Sequence, residues 1–290
     1  MKKVSIGSWA ISMDLPELCR GLSKLHFDGI SMGGFAPHAN PKIYDTKEKK
    51  DGLKALLKET NLEVADYAAD LWSVDSLKQK DEWLALFDES VEFMDEMDWR
   101  IVRIDSGTVP ILPEGKTYRE CRDIITDSFI HCAKKASQYG IDVVWEFEPG
   151  FMINEPKNIL ETVKDVNEKN FGILVDTCHA YMSSVIGARH IEEGCTLKGG
   201  ILELVDMFKG HIAHVHVIDS DGSLNGEGTS THFPFGGGNI NFDEVIPAII
   251  EKGGYKGDWW SIDLCEWPDA WKATEDCKNF VDAFNAKYCK

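Results

Sequence analysis

The sequence predicts a single (β/α)₈ barrel, and two regularities lead to that prediction. Short apolar segments alternate with amphipathic helical segments along the whole chain, and eight such alternations fit into its 290 residues. Strands that alternate with helices pair in parallel, and eight β/α units are the number that closes a barrel. A chain of this length can form one barrel, so we expect one domain over residues 1–290.

The predicted elements follow one another at regular spacing. Strands are expected at 4–9, 29–32, 63–67, 101–105, 142–148, 172–176, 211–219 and 259–264. Helical patterns lie near 15–25, 46–59, 79–97, 117–139, 156–168, 197–208, 242–252 and 270–287. A doubly wound open sheet is the competing architecture, but no G-x-G-x-x-G pattern follows the first strand. The glycine-rich stretch at 220–239 is long for a loop in a compact domain, which is typical of an active-site loop.

Composition limits the partners and the compartment. The formal net charge is −18, so the surface repels nucleic acid and anionic membranes. No run of 18 apolar residues and no signal-peptide pattern occurs, and the eight cysteines form no C-x-x-C pair. We therefore expect a cytoplasmic protein with reduced thiols and with neither nucleic acid nor membrane as a partner.

The ends of predicted strands five and six carry acidic groups. In a β/α barrel the functional side chains collect where strands end. Strand five reads DVVWEFEPG, and we expect Glu148, nearer the mouth, to bind a metal ion and Glu146 to contact the substrate or orient the ligand. Strand six ends at Asp176, a second expected ligand, with His179 three residues further on.

The ends of strands seven and eight complete the set. Strand seven reads HIAHVHVID, and His216 is the predicted ligand because it lies closer to the mouth than His214. Strand eight supplies Asp263, while Glu266 follows in the loop and is close enough in sequence to take its place. Three carboxylates and one imidazole favour a single Mn²⁺ or Mg²⁺ ion per chain, with Zn²⁺, Co²⁺ and Fe²⁺ left open.

At these residues the sequence resembles the sugar phosphate isomerase/epimerase family of the xylose isomerase-like TIM-barrel superfamily. The resemblance spans nearly the whole chain. It rests on G-S-W at Gly7, F-D-G-I in strand two, R-I-D-S-G from Arg103, E-P in strand five, D-x-x-H in strand six, H-x-H-x-x-D in strand seven and G-x-G-x-x-x-F-D from Gly236.

The resemblance implies a ligand set and a chemistry. In the ketose 3-epimerases of this group a Glu, an Asp, a His and a second Glu bind the metal, and the two Glu also move protons. Glu148, Asp176 and His216 fall on the first three positions, and Asp263 replaces the fourth with a side chain one methylene shorter. His179 matches the substrate-binding histidine of the family.

The expected activity is isomerisation or epimerisation of a keto-sugar, sugar phosphate or polyol through a metal-stabilised enediolate. Glu148 and Asp263 are the expected catalytic pair. Further substrate contacts are expected from His179, Glu146, Arg103, His232, Trp9 and Glu266.

Other functions stay open beside this one. A lyase on the same scaffold would be an inosose-type dehydratase or an enzyme that eliminates across a keto-glycoside bond. A barrel without chemistry would be a binding subunit. An apurinic endonuclease with three zinc ions is disfavoured, because strands three and four supply no histidine and the chain is acidic. A homo-oligomer is expected only by analogy.

Overall fold

The computed structural model describes residues 1–289, and its centre is a parallel sheet of eight strands in the order β1-β8-β7-β6-β5-β4-β3-β2. The strands are β1 Lys3–Ile6, β2 Gly29–Gly33, β3 Glu63–Ala68, β4 Ile101–Ile104, β5 Asp142–Glu146, β6 Phe171–Asp176, β7 Ile212–Val217 and β8 Trp259–Ile262. A parallel bridge between Gly7 and Ser31 joins the β1 and β2 sides. The predicted (β/α)₈ barrel is therefore confirmed.

Helices follow the strands and surround the sheet. They are α1 Leu15–Lys24, α2 Lys47–Thr60, α3 Lys80–Met97, α4 Tyr118–Ser137, α5 Pro156–Val166, α6 Thr177–Tyr181, α7 Gly200–Met207, α8 Phe242–Glu251 and α9 Ala270–Tyr288. Local sequence explains where several begin. Thr117 and Glu120 form a reciprocal capping box at α4, and proline occupies the first turn of α1 and of α5. No helix within residues 1–289 is long and apolar enough to cross a membrane.

The strands end earlier than the sequence predicted in three places that matter for the site. Strand β5 ends at Glu146 rather than at 148, β7 ends at Val217, and β1 ends at Ile6, so that Trp9 lies in a short 3-10 turn. Two connections at the carboxyl face are elaborated. Between β6 and α7 lie α6 and a π-helical turn at Met182–Ile186, and β7 is followed by a long loop, residues 218–241, before α8.

Candidate metal centre

Four acidic and imidazole side chains converge at the carboxyl end of the barrel. They are Glu146, Asp176, His216 and Asp263, and we call them the four-residue group. One ligand atom from each lies within 4.8 Å of the others, and none of the four residues is more than 3% exposed. They meet because they stand at the ends of the neighbouring parallel strands β5 to β8, with Asp176 and His216 in register. The fold thus gathers groups that are far apart in sequence.

Several inward atoms of this group have no hydrogen-bond partner within residues 1–289. They are Oε1 of Glu146, Oδ2 of Asp176 and Nδ1 of His216, all buried. The His216 Nδ1 atom lies 2.9 Å from Glu146 Oε1 and 3.6 Å from Asp263 Oδ2. Buried polar atoms are normally bonded, and each exception calls for an explanation. A divalent cation among three carboxylate oxygens and one imidazole nitrogen satisfies all of them, so the residues fit a metal ion.

Each carboxylate of the group has one oxygen held by the protein, which leaves the other for the centre. Asp176 Oδ1 accepts from the backbone N–H groups of Cys178 at 2.7 Å and His179 at 3.0 Å. Asp263 Oδ1 accepts from the indole Nε1 of Trp9 at 2.9 Å and from the N–H of the residue two positions on.

The third carboxylate is held by a cation. Glu146 Oε2 forms an ion pair with the Arg103 guanidinium, which also lies 5.6 Å over the Trp9 ring. Such outer contacts fix the orientation of metal-binding side chains.

The pKa values in the four-residue group are shifted because several charged groups are buried close together. Burial, together with the carboxylates of Glu146 and Asp263, raises the pKa of Asp176 to about 7. Burial opposes the charged form of Glu146 as well, but the Arg103 guanidinium and the His216 ring outweigh it and lower its pKa to about 2. Burial would lower the pKa of His216, but the Glu146 carboxylate raises it well above its usual value. The negative charge of the group therefore favours a proton on Asp176 and on His216.

Strand five contributes Glu146 to the four-residue group, whereas Glu148, the predicted ligand, lies outside that group. The reason is local: side chains alternate only within a strand, and β5 ends at Glu146 before the turn at Pro149. Glu148 Oε2 accepts a hydrogen bond from the Thr229 hydroxyl and lies 3.8 Å from His179 Nε2. Burial and the nearby Glu146 carboxylate raise the pKa of Glu148 to about 6. This carboxyl therefore stands beside the group with a pKa raised toward neutral pH.

The long loop at 218–241 brings further groups to the site. Its shape depends on buried Asp219: Oδ1 accepts from the N–H groups of Ser220 (2.8 Å) and Ile240 (3.1 Å), and Oδ2 from those of Gly236 and Gly238 (both 3.0 Å). A Cβ atom at Gly238 would lie 2.4 Å from Asp219 Oδ1, so glycine is required for this close approach.

Three contacts from residues 229–232 connect the loop to the site. The Thr229 hydroxyl meets Glu148, Ser230 Oγ lies 2.7 Å from His179 Nδ1, and His232 Nδ1 lies 3.6 Å from Asp263 Oδ1. Sequence reasoning missed Thr229 and Ser230. The only signal was the length and composition of the loop, which does not specify which residues face inward.

Of the six predicted substrate contacts, Glu146 belongs to the four-residue group itself, and the other five divide into two sets. His179, His232, Arg103 and Trp9 all border the four-residue group, and His179 and His232 form a second group of potential ligand atoms with Asp176. Glu266 lies apart. It is exposed and accepts a hydrogen bond from Asn225 Nδ2 at 2.6 Å, so it links the long loop to the segment after β8.

The fold and the site together define a (β/α)₈ barrel with a cluster of potential metal ligands at the carboxyl ends of β5 to β8. The sequence model of the xylose isomerase-like TIM barrel matches residues 19–277, and the chain belongs to that family. The uncharacterized protein MJ1311 of Methanocaldococcus jannaschii is 30% identical over 202 residues, 69% of this chain. The chain spans 62% of the length of that relative.

Solved structures share the fold over the full length. The IOLI protein with a bound zinc atom superposes with a TM-score of 0.75 at 19% identity, covering 99% of each chain. A D-tagatose 3-epimerase-like protein gives a TM-score of 0.73 at 24% identity and covers 98% of this chain and 99% of its own. At these identities the structural similarity establishes the barrel fold. The reaction has to be inferred from the residues of the site.

Proposed function

We propose that the protein is a metal-dependent enzyme that transfers a proton at a carbon next to the carbonyl group of a polyhydroxylated substrate, as a sugar isomerase or epimerase does. The observation that carries the proposal is the four-residue group, with its unpartnered inward atoms. We assign the ligand position predicted for Glu148 to Glu146, because Glu146 offers a free buried oxygen to the centre. The zinc atom named for the IOLI structure and the epimerase name of the other neighbour support a metal-dependent enzyme that acts on a sugar-like substrate.

The residues around the group have distinct roles in this proposal. A bound ion supplies Lewis-acid polarisation of the substrate carbonyl. Glu148 takes the proton from the adjacent carbon, since its pKa of about 6 leaves it ionised at neutral pH yet basic enough to accept a proton. Its side chain is 12% exposed, so a substrate can reach it. Asp263 remains the predicted second member of the catalytic pair, and its Oδ1 accepts a hydrogen bond from the Trp9 indole.

Electrostatics favour an uncharged substrate over a sugar phosphate. Asp105 and Glu148 add acidic groups beside the three carboxylates of the group. Burial and the neighbouring carboxylates raise the pKa of Asp105 to about 7 and that of Glu148 to about 6, so additional negative charge is unfavourable here. The Arg103 guanidinium is already paired with Glu146 and is not free to receive a phosphate. The substrate we propose is therefore a neutral ketose or keto-polyol.

The test pairs two isosteric variants. Metal content is measured after dialysis against Mn²⁺ or Zn²⁺, and proton transfer is followed by NMR as deuterium incorporation from D₂O into a panel of ketoses and inososes. Glu146→Gln should lose metal and exchange together. Glu148→Gln should retain about one ion per chain and lose exchange by about 10²-fold or more.

Each alternative has its own signature in this experiment. Loss of water from an inosose, seen as a new enone absorbance, would instead identify the lyase. Wild-type protein that holds metal but exchanges no proton on any substrate would favour a binding subunit. Wild-type protein that never holds near-stoichiometric metal would refute the proposal.

A further inference from the structure

A closed ring of polar side chains crosses the barrel interior beside His216. We call it the polar ring, and each of its members is at most 1% exposed. Its members come from five strands: Ser5 on β1, Ser31 on β2, Asp66 on β3, His214 on β7 and Ser261 on β8. Barrel interiors are usually filled by branched apolar side chains. A buried polar layer is costly unless its groups bond to one another, so its presence calls for an explanation.

The members of the polar ring contact one another in sequence, and two of them contact Asp66. The Ser5 hydroxyl donates to Ser261 Oγ at 2.7 Å and lies 3.3 Å from Ser31 Oγ. The Ser31 hydroxyl donates to Asp66 Oδ2. His214 Nε2 closes the circuit, 3.1 Å from Ser261 Oγ and 3.2 Å from Asp66 Oδ2. The ring therefore holds one carboxylate at a defined place inside the barrel.

That carboxylate faces the back of a proposed metal ligand. His216 Nε2 lies 3.9 Å from Asp66 Oδ2, while the opposite nitrogen, Nδ1, faces Glu146 in the four-residue group. Within residues 1–289, Nε2 of His216 and Oδ1 of Asp66 are both buried without a hydrogen-bond partner. A neutral imidazole carries one N–H, so Nδ1 can bind an ion only if the proton is on Nε2. Asp66 is the acidic group at that nitrogen.

We infer that Asp66 is a positioning residue for His216: its carboxylate, held by the polar ring, keeps the ring proton on Nε2 and turns the lone pair of Nδ1 toward the four-residue group. The inference rests on the proposed metal site. A carboxylate behind a ligating histidine orients the ring and raises its basicity, and loss of such a partner costs 10- to 100-fold in metal affinity in known sites.

The first experiment compares Asp66→Asn with a substitution of a buried hydroxyl outside the polar ring. Asp66→Asn keeps the shape and removes the charge, and we expect it to raise the Kd for Zn²⁺ or Mn²⁺ by about 10- to 100-fold in calorimetric titrations. Thr274→Ala is the control, since this buried hydroxyl on α9 donates to the Ala270 carbonyl oxygen, and its loss should change Kd by less than about 3-fold. Equal affinity of Asp66→Asn and wild type, or an equal loss in Thr274→Ala, overturns the inference.

A measurement on the wild type covers the case in which Asp66→Asn does not fold. Protein labelled with ¹⁵N-histidine is loaded with ¹¹³Cd²⁺, and the His216 signals are assigned by their absence in His216→Gln. We expect ¹¹³Cd–¹⁵N coupling at Nδ1 and a proton on Nε2. Coupling at Nε2 overturns the inference and leaves the metal site standing, whereas wild-type protein that binds no metal overturns the proposed function itself.

Discussion

Asp219→Asn should detach the long loop from the barrel. The resulting loss in the free energy of unfolding can be calculated from the four hydrogen bonds that the carboxylate accepts from backbone N–H groups. Each oxygen receives two of them. An asparagine side chain has one oxygen, so in either orientation its NH₂ faces two donors, and two bonds are lost. Hydrogen bonds to a charged group contribute about 1.5–3 kcal/mol each, which predicts a loss of about 3–6 kcal/mol.

Urea unfolding measures this loss directly, and the long loop contains its own control. Asp221 lies two residues further on, is exposed, and accepts from the N–H of Ser223 at 2.8 Å through one oxygen, which asparagine retains. Asp221→Asn should therefore change the free energy of unfolding by less than about 0.5 kcal/mol. A second readout is metal affinity, because a detached loop no longer holds His232 near Asp263.

The measured change in the free energy of unfolding tests whether Asp219 organises the loop. A domain has a total stability of about 5–15 kcal/mol, so a loss of 3 kcal/mol or more is easily resolved. If Asp219→Asn costs less than about 1 kcal/mol and leaves metal affinity unchanged, Asp219 does not organise the loop, and the loop's contacts with the site arise elsewhere.

Three other perturbations follow from the same geometry. The rate constant kcat/KM should fall about tenfold per pH unit below pH 6 and level off above it, because Glu148, whose pKa is raised to about 6, acts in its ionised form. A flat pH profile in a metal-saturated assay would contradict this role. Chelation should lower the free energy of unfolding by about 2.7 kcal/mol relative to protein with the ion at 100 times its Kd, and an unchanged urea midpoint would argue against a site in the native state. Trp9→Phe should weaken metal binding by about tenfold, since it removes the indole donor that holds Asp263, whereas Trp271→Phe, on α9, should leave the affinity unchanged.

The fold could be read from the sequence because its signal is repeated. Eight alternations of strand and helix each carry only a weak preference, but together they favour one closed architecture. Asp176, His216 and Asp263 were likewise predictable as neighbours, because each stands at or just beyond the end of a parallel strand, and the structure brings all three together.

Glu146 and Glu148 show where sequence reasoning stopped. Their spacing of two suggested a shared direction with Glu148 nearer the mouth, but that holds only while the strand continues, and β5 ends at Glu146. Strand ends are set by tertiary packing and by the following turn, which sequence pattern locates only to within a few residues. The role inferred for Asp66 could not be predicted for a different reason, since the two histidines beside it, His214 and His216, come from β7, four strands away.

The distribution of the site along the chain has a consequence for assembly. All four members of the four-residue group lie between residues 146 and 263, in the second half of the barrel. The groups behind them are in the first half: Trp9 holds Asp263, Arg103 holds Glu146, and Asp66 faces His216. A half-barrel containing only β5 to β8 would keep the backbone donors to Asp176 but lose the contacts that Trp9, Arg103 and Asp66 make with the other three members. High affinity would then be a property of the joined halves, and ion capture would report on their association.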